Sequence, residues 1–394
     1  MRALHVVASI NRAVGGPAVS VSRLAAELAA QHVDTTVATL DYPEHGPQSG
    51  IGAAYLASVP ATALTRVLRG WSPRFERELA GLAAAGADVI HNHGLWMFPN
   101  LYARRCAVRA GIPLLVSPRG MLDAWSLERS AARKMIAWSL FEKSNLHAAA
   151  AFHATSEVEA AAIRHRGLRQ PIAVIPNGMD LPDPASIPDR ALLESRFPEL
   201  RGKQILLFLS RLHPKKGVAE LVRAWRAIEP RHAQWQLLIA GPDLDGYGIE
   251  IRKQAADLER AGRVTFAGML VDDAKSCALG HADILVLPTH SENFGLVVAE
   301  ALAHGVPVVT TRAAPWSVLQ RDNCGWWIEA GENHLCTALE AAMRAGRESR
   351  KAMGARGRDV IARDYSWKRI AGEMLAVYLW LRQRGERPAC VVAD

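Results

Sequence analysis

Short apolar runs of strand length alternate with helical stretches twice along this chain, and a proline-rich segment separates the two series. The first series reads Leu4 to Ile10, "TTVATL", "ADVIHNH", "IPLLVSP", "AFHATS" and "IAVIPNGMD"; the second reads "QILLFLS", "QWQLLIA", "RVTFAG", "ADILVLP" and "VPVVTT". Apolar strands joined by helices belong to parallel sheets covered on both faces. The segment "LPDPASIPD" between the series is a linker signal. The pattern predicts an α/β chain of two Rossmann-like domains, 1–180 and 181–369, facing a central cleft where a ligand is expected. A chain of 394 residues is long for one hydrophobic core and natural for two.

The net charge of +8 suits an acidic partner (nucleic acid, an anionic membrane or a phosphorylated ligand) or simply a well-solvated basic surface. No nucleic-acid-binding motif is present, so nucleic acid is not expected as a partner. The five cysteines (Cys106, Cys277, Cys324, Cys336, Cys390) form no CxxC pair. Neither a disulfide framework nor a zinc site is expected, and a reducing cytoplasm fits. The opening "MRALHVVASI" is short for a signal peptide and reads as a strand. No uninterrupted apolar run reaches the roughly 18 residues of a membrane-spanning helix.

Two stretches of the second half carry chemistry. In "LFLSRLHPKKGVAELVRAW" a strand ends at Arg211, and Lys216 stands just before Gly217, where a helix is expected to begin. A lysine there opposes the helix dipole unless an anion joins it. Free backbone N–H groups and two cations would hold a diphosphate; the plainer alternative is a solvated basic turn. In "HSENFGLVVAEALAHGVPVV" Glu292 precedes a helix expected to start near Phe294 or Gly295, Glu300 lies inside it, and Gly305 should cap its end. Carboxylates sit poorly against phosphate but accept hydrogen bonds from sugar hydroxyls, and Gly295 lets a ligand approach the backbone. Together the two stretches outline a nucleotide-sugar site.

"SRLHPKKG" and "ENFGLVVAE", in order after "GGPAVSVSRLAAELA" and "VIPNGMD", resemble the signatures of the retaining glycosyltransferases of family 4, whose fold is GT-B. The resemblance covers nearly the whole chain. It implies that Arg211 and Lys216 hold the donor diphosphate and Glu300 the ribose. Glu292 and the Phe294–Gly295–Leu296 backbone would face the transferred sugar, Asn177 of "PNG" would belong to the donor site, and Gly15 and Gly16 would close on the donor from the first domain. It further implies that no metal or other cofactor is needed for the chemistry. A C-terminal helix, about residues 370–385, would cross back onto the first domain, leaving a partly disordered tail at 386–394.

"HNHGLW" places His91 and His93 on one face of a strand, as a metal pair or as core histidines, and no third ligand is visible in the sequence. A cleft-facing, acceptor-binding role is expected for His93. In "VSPRGML", Arg119 stands where many family members carry a histidine. An arginine is no general base at neutral pH, but it holds phosphate or developing negative charge. The expected catalytic set is therefore Arg211, Lys216, Glu292, His93 and Arg119. "HNHGLW" and "SPRGMLDAW" resemble a subgroup that builds bacterial exopolysaccharide, O-antigen or capsule. Asp243-Leu244-Asp245 reads as a surface turn rather than a metal motif.

The segment Ser126 to Ser144, with Arg129, Arg133, Lys134 and Lys143 beside Met135, Ile136, Trp138, Leu140 and Phe141, reads as a basic amphipathic helix, set against the core or against an anionic membrane. The resulting expectation is a cytoplasmic enzyme, peripheral on the inner membrane. It moves a hexosyl unit with retention from a nucleotide diphosphate sugar to a glycan acceptor, lipid-linked through polyprenyl diphosphate. The rival readings are a nucleotide-sugar 2-epimerase and a non-catalytic glycan-binding subunit.

Overall fold

The computed structural model describes residues 1–12, 15–128 and 131–393. The chain divides into two compact units, Met1–Gly178 with Trp367–Asp394, and Met179–Ser366.

The first unit is built on strands β1 (Arg2–Val7), β2 (Asp34–Asp41), β3 (Tyr55–Pro60), β4 (Val89–His93), β5 (Leu114–Ser117), β6 (Ala151–Ala154) and β7 (Ile172–Val174). With β14 (Val391–Val392) they form one sheet in the order β14-β7-β6-β5-β4-β1-β2-β3. All pairings are parallel except β14 with β7. The chain winds one way from β1 through β2 to β3 and the other way from β4 onward, so the topological switch point lies between β1 and β4. There the register sets His5 opposite His91 and Val7 opposite His93.

The second unit carries β8 (Gln204–Leu209), β9 (Trp235–Ala240), β10 (Val264–Gly268), β11 (Ile284–Leu287), β12 (Val308–Thr311) and β13 (Gly325–Ile328), all parallel, in the order β10-β9-β8-β11-β12-β13. Its switch point lies between β8 and β11. The inner strands β9, β11 and β12 are buried along their whole length, and β8 all but its first residue, Gln204, as apolar runs require when helices cover both faces.

Three strands, β3, β13 and β14, were not anticipated from the sequence. In the tail, expected to be partly disordered, Val391 pairs with Ala173 and is buried, so this stretch contributes an edge strand. The C-terminal helix spans Trp367–Leu381, starting before residue 370, and packs on the helix Gly16–Ala30. No helix among the described residues is long and apolar enough to cross a membrane.

Candidate active site

At the switch point of the second unit, the exits of β8 and β11 lie side by side. Beyond β8 come a short turn Pro214–Lys216 and the helix Val218–Ile228; beyond β11 comes the helix Leu296–Ala303. The two exit loops are tied together. His290 N–H donates to the Lys215 carbonyl at 2.8 Å, and the Thr289 hydroxyl donates to the same oxygen at 3.0 Å. Gly217 makes the approach possible: its φ is 70°, and a Cβ there would stand 2.0 Å from the Pro288 carbonyl oxygen.

Lys216 and Glu292 meet across this junction. Lys216 Nζ donates to Glu292 Oε2, and the two side chains are only 12% and 16% exposed. Glu300, one turn into its helix, accepts from Lys275 Nζ at 2.7 Å. Arg211 is exposed and has no ion pair or side-chain hydrogen bond among the described residues. Thus the structure brings together Lys216 and Glu292, which the sequence placed on separate duties, and adds Lys275, which the sequence reading missed.

The loop Phe294–Gly295–Leu296 is fixed from behind. The Phe294 ring is buried against Trp316 and Tyr365, with centroids 5.2 and 6.0 Å away, and Trp316 Nε1 donates to the Phe294 carbonyl. With ring and carbonyl engaged, the loop offers a ligand its amides. Gly295, at φ 81°, is the cap; its carbonyl accepts from the Val298 N–H at 2.9 Å, and the N–H groups of Leu296 and Val297 have no helical acceptor. Lysine charge, carboxylates and helix-start amides converge at the carboxyl ends of adjacent strands, where open α/β sheets bind their ligands. Asp243, Leu244 and Asp245 lie exposed in the turn before the helix Tyr247–Gln254.

In the first unit, Gly15 caps the helix Gly16–Ala30 without any side-chain cap. The exits of β4 and β5 carry His93 and Arg119. His93 is a correction: its ring is 2% exposed rather than cleft-facing, and both ring nitrogens are engaged. Nδ1 faces Arg119 Nη2 and Nε2 faces His5 Nδ1, each at 3.0 Å. A buried ring with both nitrogens occupied has no atom to offer an acceptor.

Arg119 is only partly exposed and sits in the left-handed region at φ 57°, a conformation that a non-glycine residue holds only when its surroundings impose it. Its Nη1 donates to Asn177 Oδ1 at 2.8 Å, so the asparagine of "PNG" serves Arg119. The glycine of that motif is structural, because a Cβ on Gly178 would meet the Trp367 indole at 2.3 Å. Burial lowers the Arg119 guanidinium to about 10, which leaves it charged at neutral pH.

A third histidine, His5, lies beside the His91–His93 pair. One ring nitrogen of each comes within 4.8 Å of the others. The sequence hid it inside an apolar strand. Burial pushes His5 and His153 down to about 3, and holds His91 and His93 well below the usual imidazole range.

The expected amphipathic segment splits. Trp138 and Phe141 turn inward against Trp96 and Phe98, while Met135, Ile136 and Leu140 are 67%, 58% and 75% exposed. Arg129 lies outside the described residues, as does the side chain of Arg133. Glu142, in the same segment, is buried, accepts from the Trp96 N–H at 2.8 Å, and is raised to about 7 by that burial.

Two Rossmann-like units of this topology make up the GT-B fold. Solved structures agree: Anabaena Alr3699/HepE in complex with UDP and glucose matches with a TM-score of 0.71 at 17% identity, over 96% of this chain and 99% of that one. WaaG, a glycosyltransferase involved in lipopolysaccharide biosynthesis, matches at 0.68 and 18% identity, over 95% and 99%. The family model "Glycosyl transferase 4-like domain" matches residues 15–178, and "Glycosyl transferases group 1" matches residues 192–360. The chain belongs to the group 1 glycosyltransferases of the family 4 type. Among curated relatives, the GDP-mannose:cellobiosyl-diphosphopolyprenol alpha-mannosyltransferase of Xanthomonas campestris is 24% identical over 96% of both chains. The phosphatidyl-myo-inositol mannosyltransferase of Mycobacterium leprae is 32% identical over 54% of each.

Proposed function

We propose that this glycosyltransferase moves a hexosyl unit, with retention, from a nucleotide diphosphate sugar to a glycan carried on polyprenyl diphosphate in bacterial surface polysaccharide synthesis. The observation that carries the donor half is the Lys216–Glu292 pair at the joined exits of β8 and β11, beside the free amides that start the helix Leu296–Ala303. Lys216 and Arg211 meet the diphosphate, Glu300 the ribose hydroxyls, and Glu292 the transferred sugar. No metal is required, since these cations and amides offset the diphosphate charge. The bond from the anomeric carbon to the leaving phosphate breaks as the acceptor oxygen bonds the same face. The acceptor proton passes to the leaving phosphate, whose growing charge Lys216 and Arg211 stabilise.

The Xanthomonas relative is named for a GDP-mannose donor and a diphosphopolyprenol acceptor, which supports the acceptor class proposed here. The exposed Met135, Ile136 and Leu140, with Lys134 and Lys143 in the same segment, support peripheral contact with an anionic bilayer on its cytoplasmic side. Incubation with a panel of nucleotide sugars and polyprenyl-diphosphate glycans, read by mass spectrometry and by NMR of the new linkage, tests the proposal. A lipid-linked product with the donor's anomeric configuration is expected. An inverted linkage would refute retention, and an altered free nucleotide sugar formed without acceptor would favour an epimerase.

A further inference from the structure

Seven hydrogen bonds run through the core of the first unit from Arg119 to the Ile175 carbonyl, and the two ends fix the direction of every one. Arginine only donates. His93 Nδ1, 3.0 Å from Arg119 Nη2, is therefore a lone pair, and neutral His93 carries its proton on Nε2. That proton goes to His5 Nδ1 at 3.0 Å, so His5 is protonated on Nε2, which faces the Tyr378 hydroxyl at 3.3 Å.

From the other end, the Ile175 carbonyl only accepts, so His153 carries its proton on Nε2, 2.9 Å away. His153 Nδ1 then accepts the Ser117 hydroxyl proton at 2.7 Å, and Ser117 Oγ accepts from His91 Nε2 at 2.7 Å. His91 Nδ1 is left as a lone pair and takes the Tyr378 proton at 2.7 Å. The two halves meet at Tyr378, which receives one hydrogen bond and gives one.

We infer that Tyr378, contributed by the C-terminal helix, is a positioning residue that acts on Arg119 through this one-way chain of neutral imidazoles. The chain presents Arg119 with a lone pair at His93, and Asn177 presents an amide oxygen. The guanidinium is thus held by two neutral acceptors rather than cancelled by a hydrogen-bonded carboxylate. Glu159 acts on it only at longer range, and binds the Gly120 N–H instead. The unneutralised charge is left for a phosphate group of the substrate, and this part rests on the proposed glycosyl transfer to a polyprenyl-diphosphate acceptor.

Three clustered imidazoles also suggest a zinc site. Yet the lone pairs of His93, His5 and His91 are already used by Arg119, His93 and Tyr378, and a dication would sit beside a guanidinium. Burial lowers all four imidazoles, consistent with a chain in which none carries a second proton.

The test has two arms. Long-range proton–nitrogen NMR of the wild-type protein with labelled histidines should show His5, His91, His93 and His153 all as neutral Nε2–H tautomers between pH 6 and 8, unchanged by added zinc chloride. A single Nδ1–H tautomer among them, a titrating member, or uptake of one zinc with loss of the pattern would overturn the inference. In the second arm, Tyr378→Phe should lower kcat with the polyprenyl-diphosphate acceptor at least about tenfold while leaving UDP or GDP affinity unchanged. An unaltered kcat would overturn it. Failure of the wild type to bind any nucleotide diphosphate would refute the proposed reaction instead, and would leave the tautomers as they are.

Discussion

Lys216 and Glu292 form an ion pair that bridges the exits of two neighbouring strands, β8 and β11, although 76 positions separate them in sequence. Before any ligand arrives, the cation proposed for phosphate and the carboxylate proposed for the sugar hold each other in place. Both are pre-positioned, and a ligand that takes Lys216 frees Glu292 for a hydroxyl.

The two glutamates of the second unit should separate by experiment. Glu300→Ala removes the proposed ribose contact, one common to all donors, so it should weaken nucleotide diphosphate and intact donor alike. Glu292→Ala removes the proposed contact to the transferred sugar and releases Lys216. Nucleotide diphosphate affinity should hold or rise while turnover falls, the signature of an interaction that matters most in the transition state. Calorimetry with steady-state kinetics on both variants checks this, and the opposite pattern would exchange the assignments.

The proposal that Arg211, Lys216 and the amides at the start of the helix Leu296–Ala303 meet the diphosphate charge without a divalent ion predicts activity that survives excess EDTA. Complete loss with EDTA, restored by manganese, would contradict that balance. The assay is turnover of the true donor before and after chelation.

Stability should fall steeply in mild acid. His5, His91, His93 and His153 have folded-state pKa values held below the ordinary 6.5, so the unfolded chain binds their protons first. Their contribution is full above about pH 6.5 and is lost as pH falls toward 3. Glu142 acts the other way. Raised to about 7, it keeps its proton in the folded protein while the unfolded carboxyl has lost it, so it favours folding less as pH rises from 4.5 to 7. Four imidazoles outweigh one carboxyl, and thermal midpoints should drop between pH 6.5 and 5. Glu142→Gln should make that drop steeper, and a flat profile would contradict the buried-neutral assignment.

The interior strands were legible because burial on both faces leaves an uninterrupted apolar run. The three missed strands lie at sheet edges. β3 alternates, with Tyr55 61% exposed; β13 is intermediate throughout; β14 is a two-residue strand beyond a polar stretch. An edge strand packs on fewer sides, so its sequence carries a weaker apolar signal. In the site, Lys216, Glu292 and Glu300 were legible from their places at strand exits and helix starts. Their surroundings were not: Lys275 comes from a different helix, and His5 looks like one polar residue in an apolar strand. Tyr378 lies 287 positions from the His91 that it touches, in a helix that reads as plain core. Contacts made by topology leave no local spacing to read.

The proposed donor site at the joined exits of β8 and β11 is tested most directly by calorimetric titration of UDP and GDP into wild type and Lys216→Ala. A second variant adds Glu292→Gln, so that an unpaired carboxylate cannot be the cause of any loss. A charge-assisted contact contributes about 1.5–3 kcal/mol, so both variants should lose about tenfold to a hundredfold in affinity for the nucleotide that the wild type binds. Equal affinity in wild type and both variants would contradict the account.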